Sequence, residues 1–70
     1  MATVAEIQAQ LDPSGYGTKA KIVKQNTITT TDYFYVTGGV DYPGKAKWCL
    51  TTNTDSAATQ AAAIQTAMAA

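Results

Sequence analysis

A chain of 70 residues has room for one domain, and a domain of this size buries only roughly 60% of the surface that its unfolded chain exposes. The single cysteine, Cys49, and the absence of histidine exclude an internal disulfide and a Cys/His zinc site. The formal net charge of zero argues against bulk electrostatic binding to nucleic acid, although it leaves a local patch open.

The first predicted element is a short helix from about Val4 to Leu11. Thr3 and Glu6 have the spacing of a capping box, in which the hydroxyl accepts from a backbone N–H of the first turn and the carboxylate accepts from the threonine N–H. Apolar residues follow at i, i+3 and i+7 from Val4, which places them on one narrow stripe. The helix is predicted to end before Pro13, because proline disfavours helix at the preceding residue.

Three predicted strands follow, in which β-branched and aromatic residues alternate with a period of two. The first two lie within residues 18–37 and must be joined by a turn, either at residues 25 and 26 or near Thr31 and Asp32. We prefer the second position, because an aspartate can hydrogen-bond its own downstream backbone in a turn. Glycine and proline turn signals then precede a third strand over Ala46–Thr52.

The alternation divides the side chains of these strands between two faces of the sheet. One set is predicted to face the helices, and it consists of Ala20, Ile22, Phe34, Val36, Trp48 and Leu50. The other set is predicted to point away from them, and it consists of Lys19, Lys21, Val23, Tyr33, Tyr35, Lys45, Lys47 and Cys49.

The last predicted element is a helix over Ala57–Ala69, a segment rich in alanine and preceded by several candidate N-cap residues. One face is predicted to be a helix interface, and it carries Ala57, Ala61, Ile64 and Met68. Most of the remaining helix surface is Ala, Gln and Thr, and no charge follows Asp55. We therefore expect the helix to pack against its own sheet on one side and against another subunit on the other. The alternative is an isolated surface helix that depends on alanine propensity alone.

These elements predict an α+β fold in one domain over residues 1–70: a helix, a three-stranded antiparallel β-meander and a second helix, with both helices on one face of the sheet. The order of elements resembles that of double-stranded-RNA-binding domains. Those domains carry a lysine cluster at the start of their last helix, where this chain has Asp-Ser-Ala-Ala-Thr at residues 55–59. The resemblance in element order therefore implies no RNA-binding function.

Residues 39–45, Gly-Val-Asp-Tyr-Pro-Gly-Lys, have the spacing of a phosphate-binding loop, G-x-x-x-x-G-K. In nucleotide-binding proteins this loop links a strand to a helix. Here the segment after Lys45 alternates as a strand, Ala46 stands where a magnesium-binding hydroxyl belongs, and Pro43 removes an N–H donor. The segment is predicted to be a hairpin loop, and no cofactor is expected.

No group of residues predicts catalysis or metal binding. The chain has no arginine, and its five acids are scattered over predicted caps and turns, where carboxylates commonly accept from backbone N–H groups. Cys49 could act as a nucleophile only with a neighbouring base or a depressed pKa, and Lys47 on the same strand face gives that alternative some support. The preferred interpretation of Cys49 is a small strand residue, so we expect no enzyme activity.

The strongest functional candidate is the sheet face that points away from the helices, with Lys21, Tyr33, Tyr35 and Lys47 as its predicted interaction residues. Segment 17–52 carries a formal charge of +3, from five lysines and two aspartates, and its flanks carry −3. Tyrosines among lysines suit a protein interface, since tyrosine is enriched there and lysine stems cover apolar surface. They also suit a stacking platform for single-stranded nucleic acid, or an ordinary exposed face that uses tyrosine for its β-propensity.

The abundance of alanine leads us to expect an assembly. Thirteen residues are alanines, which bury little area each, and large apolar residues are few. The missing stability is therefore expected to come from other chains, in a homo-oligomer or a larger protein assembly. We predict a non-enzymatic structural or interaction subunit; the alternative is a small nucleic-acid-binding module.

The abundance of alanine and threonine, the few charges and the absence of histidine resemble the composition of small phage virion proteins. The resemblance implies a capsid-decorating or tail-associated component of a virion. The first residues do not form a signal peptide, and no segment approaches the roughly 20 apolar residues that span a bilayer. We therefore expect a soluble protein made in the cytoplasm, with no membrane partner.

Overall fold

The structure, a computed structural model, describes residues 1–15 and 18–70, which form two helices and three strands. The helices are α1 (Val4–Leu11) and α2 (Ala57–Ala69), and the strands are β1 (Lys21–Ile28), β2 (Thr31–Thr37) and β3 (Ala46–Thr52). The strands pair antiparallel in the order β1-β2-β3, so β2 is central. The predicted α+β meander is confirmed, and both helices and the third strand have the predicted bounds.

Both helices begin at side-chain caps. At α1, Glu6 N donates to Thr3 Oγ1 at 3.2 Å, and Thr3 N donates to the Glu6 carboxylate at 2.9 Å. The bond from the Thr3 N–H stabilises the ionised carboxylate and lowers the pKa of Glu6. At α2, Thr59 N donates to Ser56 Oγ at 3.2 Å. The predicted capping box is therefore present, and α2 begins at one of its predicted N-cap residues.

Both helices lie on the same side of the sheet, where they enclose the core. α2 packs on β3, and α1 packs on α2 and on β1. The Gln8 amide fixes α1 to the sheet, because its Nε2 donates to Ala20 O at 3.0 Å and its Oε1 accepts from Ile22 N at 2.8 Å. The buried apolar residues are Ile7, Leu11, Ala20, Phe34, Val36, Cys49, Ala61, Ile64 and Met68.

The chain closes this core by itself. Its accessible surface is 4104 Å², and a monomeric protein of 7.3 kDa is expected to expose about 4,200 Å². The core is therefore not left incomplete without a partner. What would favour a partner is the exposed apolar side chains on the surface, such as Trp48 and Leu50.

The turn between β1 and β2 lies at Thr29 and Thr30, directly before the preferred position near Thr31 and Asp32 and away from residues 25 and 26. Asp32 belongs to β2, and its buried carboxylate accepts from Thr27 Oγ1 at 2.6 Å. Asn53 holds the turn instead, since its Nδ2 donates to Thr29 O at 2.9 Å and its N–H donates to Thr30 O at 2.8 Å. The turn is thus fixed by a residue that follows β3, a contact that the local sequence does not reveal.

The predicted faces are correct for β2 and wrong for β3. On β2, Phe34 and Val36 are buried as expected. On β3, Trp48 and Leu50 are 48% and 56% exposed, and Cys49 between them is buried. The set of β3 residues that contains Cys49 faces α2, where Lys47 Nζ donates to Ala67 O and Thr51 Oγ1 accepts from Gln60 Nε2.

Candidate interaction surface

The open face is the side of the sheet that points away from both helices. Residues directly opposite one another on antiparallel strands share a face, so the register defines its membership. Two rows of residues from the three strands form its centre. The first row is Lys24, Tyr35 and Trp48, and the second row is Asn26, Tyr33 and Leu50. Ile28 lies beyond the second row, opposite Thr31.

Aromatic and apolar side chains are exposed at the centre of the open face and, at Ile28, at one of its ends. Ile28 is 54% exposed, close to the values for Trp48 and Leu50. The rings of Tyr35 and Trp48 are in tilted contact, with centroids 5.2 Å apart. A shallow depression of about 320 Å³ lies beside them and is lined by Asn26, Ile28, Tyr33 and Trp48. Contiguous exposed apolar groups of this kind mark interaction sites on soluble proteins.

The open face holds three of the four predicted interaction residues. Tyr33 and Tyr35 lie at its centre, and Lys21 lies at one end, opposite Thr37. Lys47 lies on the helix side of β3, so its predicted placement on the outer face was wrong. The same change of face that exposes the tryptophan and the leucine of β3 turns this lysine toward α2.

The lysines that flank the start of β3 are bound at the C-terminus of α2. Lys47 Nζ donates to Ala67 O at 2.7 Å, and Lys45 Nζ donates to Met68 O at 2.9 Å and to Ala70 O at 3.1 Å. Cations at this position stabilise a helix, because its last carbonyls carry partial negative charge. Lys45 also ends the loop of residues 38–45, which joins antiparallel strands and not a strand to a helix. The hairpin prediction for this segment is therefore confirmed.

The remaining lysines leave the open face only weakly cationic. Lys19 forms an ion pair with Asp41 at 2.9 Å. Lys21 and Lys24 are exposed, and within residues 1–15 and 18–70 their ammonium groups have no ion-pair partner. Lys24 is therefore the unpaired cation near the centre of the open face, and Lys21 lies at its edge, where it also lines the depression beside α1.

The predicted helix interface packs against the chain's own core. Ala61, Ile64 and Met68 are buried, and Ala57 is partly buried against them. These residues account for the predicted contact with the sheet, and they leave no surface there for another subunit. The outward side of α2 exposes small and uncharged residues instead.

Cys49, the candidate nucleophile, is 1% exposed in the core. Its burial raises the pKa of the thiol, and the nearby charge of Lys47 lowers it to a smaller extent. The Lys47 ammonium is bound to Ala67 O, so it is engaged away from the sulfur. This environment disfavours the thiolate that nucleophilic chemistry requires.

Alkylation of Cys49 by iodoacetamide at neutral pH should be slow in the folded protein. The attacking species is the thiolate, which burial both disfavours and shields. We expect a rate at least about tenfold below that of the same chain unfolded in denaturant, followed by mass spectrometry. Modification of the folded chain at the rate of the unfolded one, or faster, would indicate an accessible and activated thiol.

A cluster of polar side chains is buried where α2 covers the sheet. Gln60 Nε2 donates to Asp32 Oδ2 at 2.8 Å and to Thr51 Oγ1 at 2.7 Å. All three residues are buried, and within the described residues Gln60 Oε1 has no hydrogen-bond partner. These bonds join α2 to β2 and β3. The cluster is closed to a substrate, so its role is structural.

Other parts of the surface offer less specific geometry. A depression of about 510 Å³ beside α1 is lined in part by Gln8, Asp12 and Lys21, but the Gln8 amide is bound to backbone groups of residues 20 and 22. Within residues 1–15 and 18–70, no three His, Cys, Asp or Glu side chains are grouped so as to hold a metal ion. The open face is therefore the candidate functional surface.

Comparisons of the chain with protein-family models, with curated proteins and with solved structures found no match. Across the described part of the chain, no helix is both long and apolar enough to cross a bilayer. The function must be inferred from the open face itself.

Proposed function

We propose that this protein is a non-enzymatic structural or interaction subunit that binds protein through its open face. One observation carries the proposal: Trp48 and Leu50 are about half exposed on the same sheet face as Tyr33 and Tyr35. Tryptophan and tyrosine are enriched at protein interfaces, where they remove a large area from water at small conformational cost. The fold does not need this apolar surface, since its core lies on the other side of the sheet.

The arrangement of the open face also supports binding to protein. Its centre is aromatic and apolar, and its ends are mostly polar, with Lys21 and Thr37 at one end and Thr31 and Thr52 beside Ile28 at the other. Protein interfaces have the same anatomy, an apolar core with a polar rim that excludes water. The depression beside Trp48 is large enough to receive a side chain from a partner.

The non-enzymatic part of the proposal is supported by the placement of reactive groups. The sequence lacks histidine and arginine, and the only thiol, Cys49, is buried. Three of the five acids are used in separate places: Glu6 in a helix cap, Asp32 in the buried cluster and Asp41 in an ion pair. None of the residues that define the open face is a carboxylate, a histidine or a thiol.

Single-stranded nucleic acid is the second candidate partner, because the aromatic rings of the open face could stack with bases. Such binding also requires cations that follow the phosphate backbone. Lys21 and Lys24 are available for that role, whereas Lys45 and Lys47 are bound to α2. The placement of the lysines therefore favours protein as the partner.

Titrating the protein into a fluorescently labelled single-stranded oligonucleotide, at about 50 mM and about 200 mM salt, separates the two candidates. We expect no saturable rise in anisotropy at micromolar protein, since two lysines neutralise few phosphates. Tyr35→Ala is the companion variant. Micromolar binding that weakens at the higher salt and disappears in Tyr35→Ala would assign the open face to nucleic acid and end the proposal.

The neighbours in this proposal are copies of the chain or components of a larger assembly. The compositional resemblance to small phage virion proteins supports a capsid-decorating or tail-associated role. In a virion, contacts between subunits would cover the open face.

A further inference from the structure

We infer that the partner of the open face is a second copy of this chain, packed face to face in a two-fold dimer. The inference rests on the proposed function and names its partner. It is supported by the layers of the fold, by the dimensions of the open face and by the placement of its cations.

The sheet has apolar residues on both faces but helices on one face only. Phe34 and Val36 face the helices, whereas Trp48 and Leu50 are on the uncovered side. A sheet with two apolar faces is ordinarily covered on both. Two copies packed face to face would form four layers, helix, sheet, sheet and helix, with the sheets about 10 Å apart.

The open face has the size of a small dimer interface. Strands of seven residues extend roughly 24 Å and three strands span roughly 14 Å, so the face projects roughly 340 Å². Two copies therefore cover about 700 Å² counted flat, which is below the roughly 1,200 Å² of stable specific interfaces and within the range of weak, transient contacts. We expect a weak dimer, with a dissociation constant on the order of 10–100 µM.

The register favours one of the two face-to-face arrangements. A two-fold axis parallel to β2 places β1 of one copy over β3 of the other and keeps each row at its own level. Lys24 of one copy then lies over Trp48 of the other, where an ammonium is attracted to the face of an indole. An axis perpendicular to the strands lays β1 over β1 and reverses the levels, so Lys24 lies over Asn26 and the indole lies over Leu50 of the other copy. Only the first arrangement places a cation over the indole.

The charge of the whole chain also permits self-association. The formal net charge is zero, so two copies do not repel each other through their net charge. A different protein and single-stranded nucleic acid are the other occupants that an experiment must distinguish.

Static light scattering of the full chain between about 10 µM and about 1 mM tests the inference. We expect the molar mass to rise from 7.3 kDa toward twice that value. Leu50→Thr keeps a strand-forming residue but removes apolar surface, so it should weaken association at least about tenfold. Lys24→Glu should weaken it too, because it places a carboxylate over the indole. Ala62→Gln, on the exposed side of α2, is the matched control and should change nothing.

A molar mass that stays at 7.3 kDa up to about 1 mM would overturn the inference. So would a dimer that both open-face variants leave intact, or one that Ala62→Gln dissociates. The oligonucleotide titration distinguishes this failure from failure of the proposed function. If the protein is monomeric and binds no oligonucleotide, only the dimer inference fails, and binding to a different protein remains the proposed function. If the protein binds the oligonucleotide and Tyr35→Ala abolishes that binding, the dimer inference and the proposed function both fail.

Discussion

Phe34→Ala is expected to leave the protein largely unfolded. Phe34 is the largest of the fully buried side chains, and it lies in the central strand opposite Gln25 and Cys49. Truncating a buried phenylalanine to alanine costs about 3–5 kcal/mol. A core of this size rarely supplies more than about 3–5 kcal/mol in total. Urea denaturation followed by circular dichroism, on the wild type and the variant, measures the loss in the free energy of unfolding.

Leu50→Thr is the control for Phe34→Ala, because Leu50 is a large apolar residue on the exposed side of the same sheet. We expect its free energy of unfolding to lie within about 0.5 kcal/mol of the wild type. A loss below about 1 kcal/mol for Phe34→Ala, or equal losses for both variants, would show that the buried and open faces have been assigned incorrectly.

Gly39→Ala should destabilise the protein by about 2–5 kcal/mol, the sum of two costs. Gly39 has a φ of 64°, a left-handed conformation that costs a residue with a Cβ about 1–2 kcal/mol. A Cβ at this position would also lie 2.5 Å from Lys19 O and 2.6 Å from Thr18 O, and backbone atoms cannot rotate away. Relieving such a clash typically costs a further 1–3 kcal/mol, roughly. Urea denaturation of the variant measures the total.

Gly44→Ala separates these two costs. Gly44 has a φ of 75°, but nothing lies within 4 Å of a Cβ built there. It should therefore lose only the conformational part, about 1–2 kcal/mol. Equal losses for the two glycines would mean that the loop of residues 38–45 does not pack against residues 18 and 19.

The helices could be predicted because their signals are local. Thr3 and Glu6 make the capping box that their spacing indicates. Ser56 caps a run of alanines whose helical propensity needs no partner to be recognised. The face of β2 could also be predicted, since Phe34 and Val36 alternate with residues that carry polar atoms.

The face of β3 could not be read from alternation alone, because both of its alternating sets contain an apolar residue. The larger residues were assigned to the core, and the structure buries Cys49 instead. A signal existed at the end of α2, whose last turn has no basic residue. Lys47 can supply a cation there only if its face of β3 points toward the helices.

The observed strands differ from the predicted ones in two further respects, because neither a β-bulge nor a long-range turn contact can be read from an alternation of period two. A β-bulge between Ile22 and Lys24 adds a residue to β1, which places Lys24 opposite Tyr35 on the open face. The turn at Thr29 and Thr30 depends on Asn53, a residue 24 positions away from the first of them. The sequence therefore identified the tyrosines of the open face but missed the tryptophan, the leucine and the lysine beside them.

The indole N–H of Trp48 gives the most direct measurement of contact at the open face. The chain has one tryptophan, so a two-dimensional NMR spectrum of the nitrogen-labelled protein contains one indole resonance. Between about 20 µM and about 1 mM protein, we expect this resonance to shift together with the amides of Tyr33 and Leu50, while the amide of Ala62 on α2 stays in place. If the open-face resonances do not move over that range, or if only those of α2 move, the open face is not where this chain meets its neighbours.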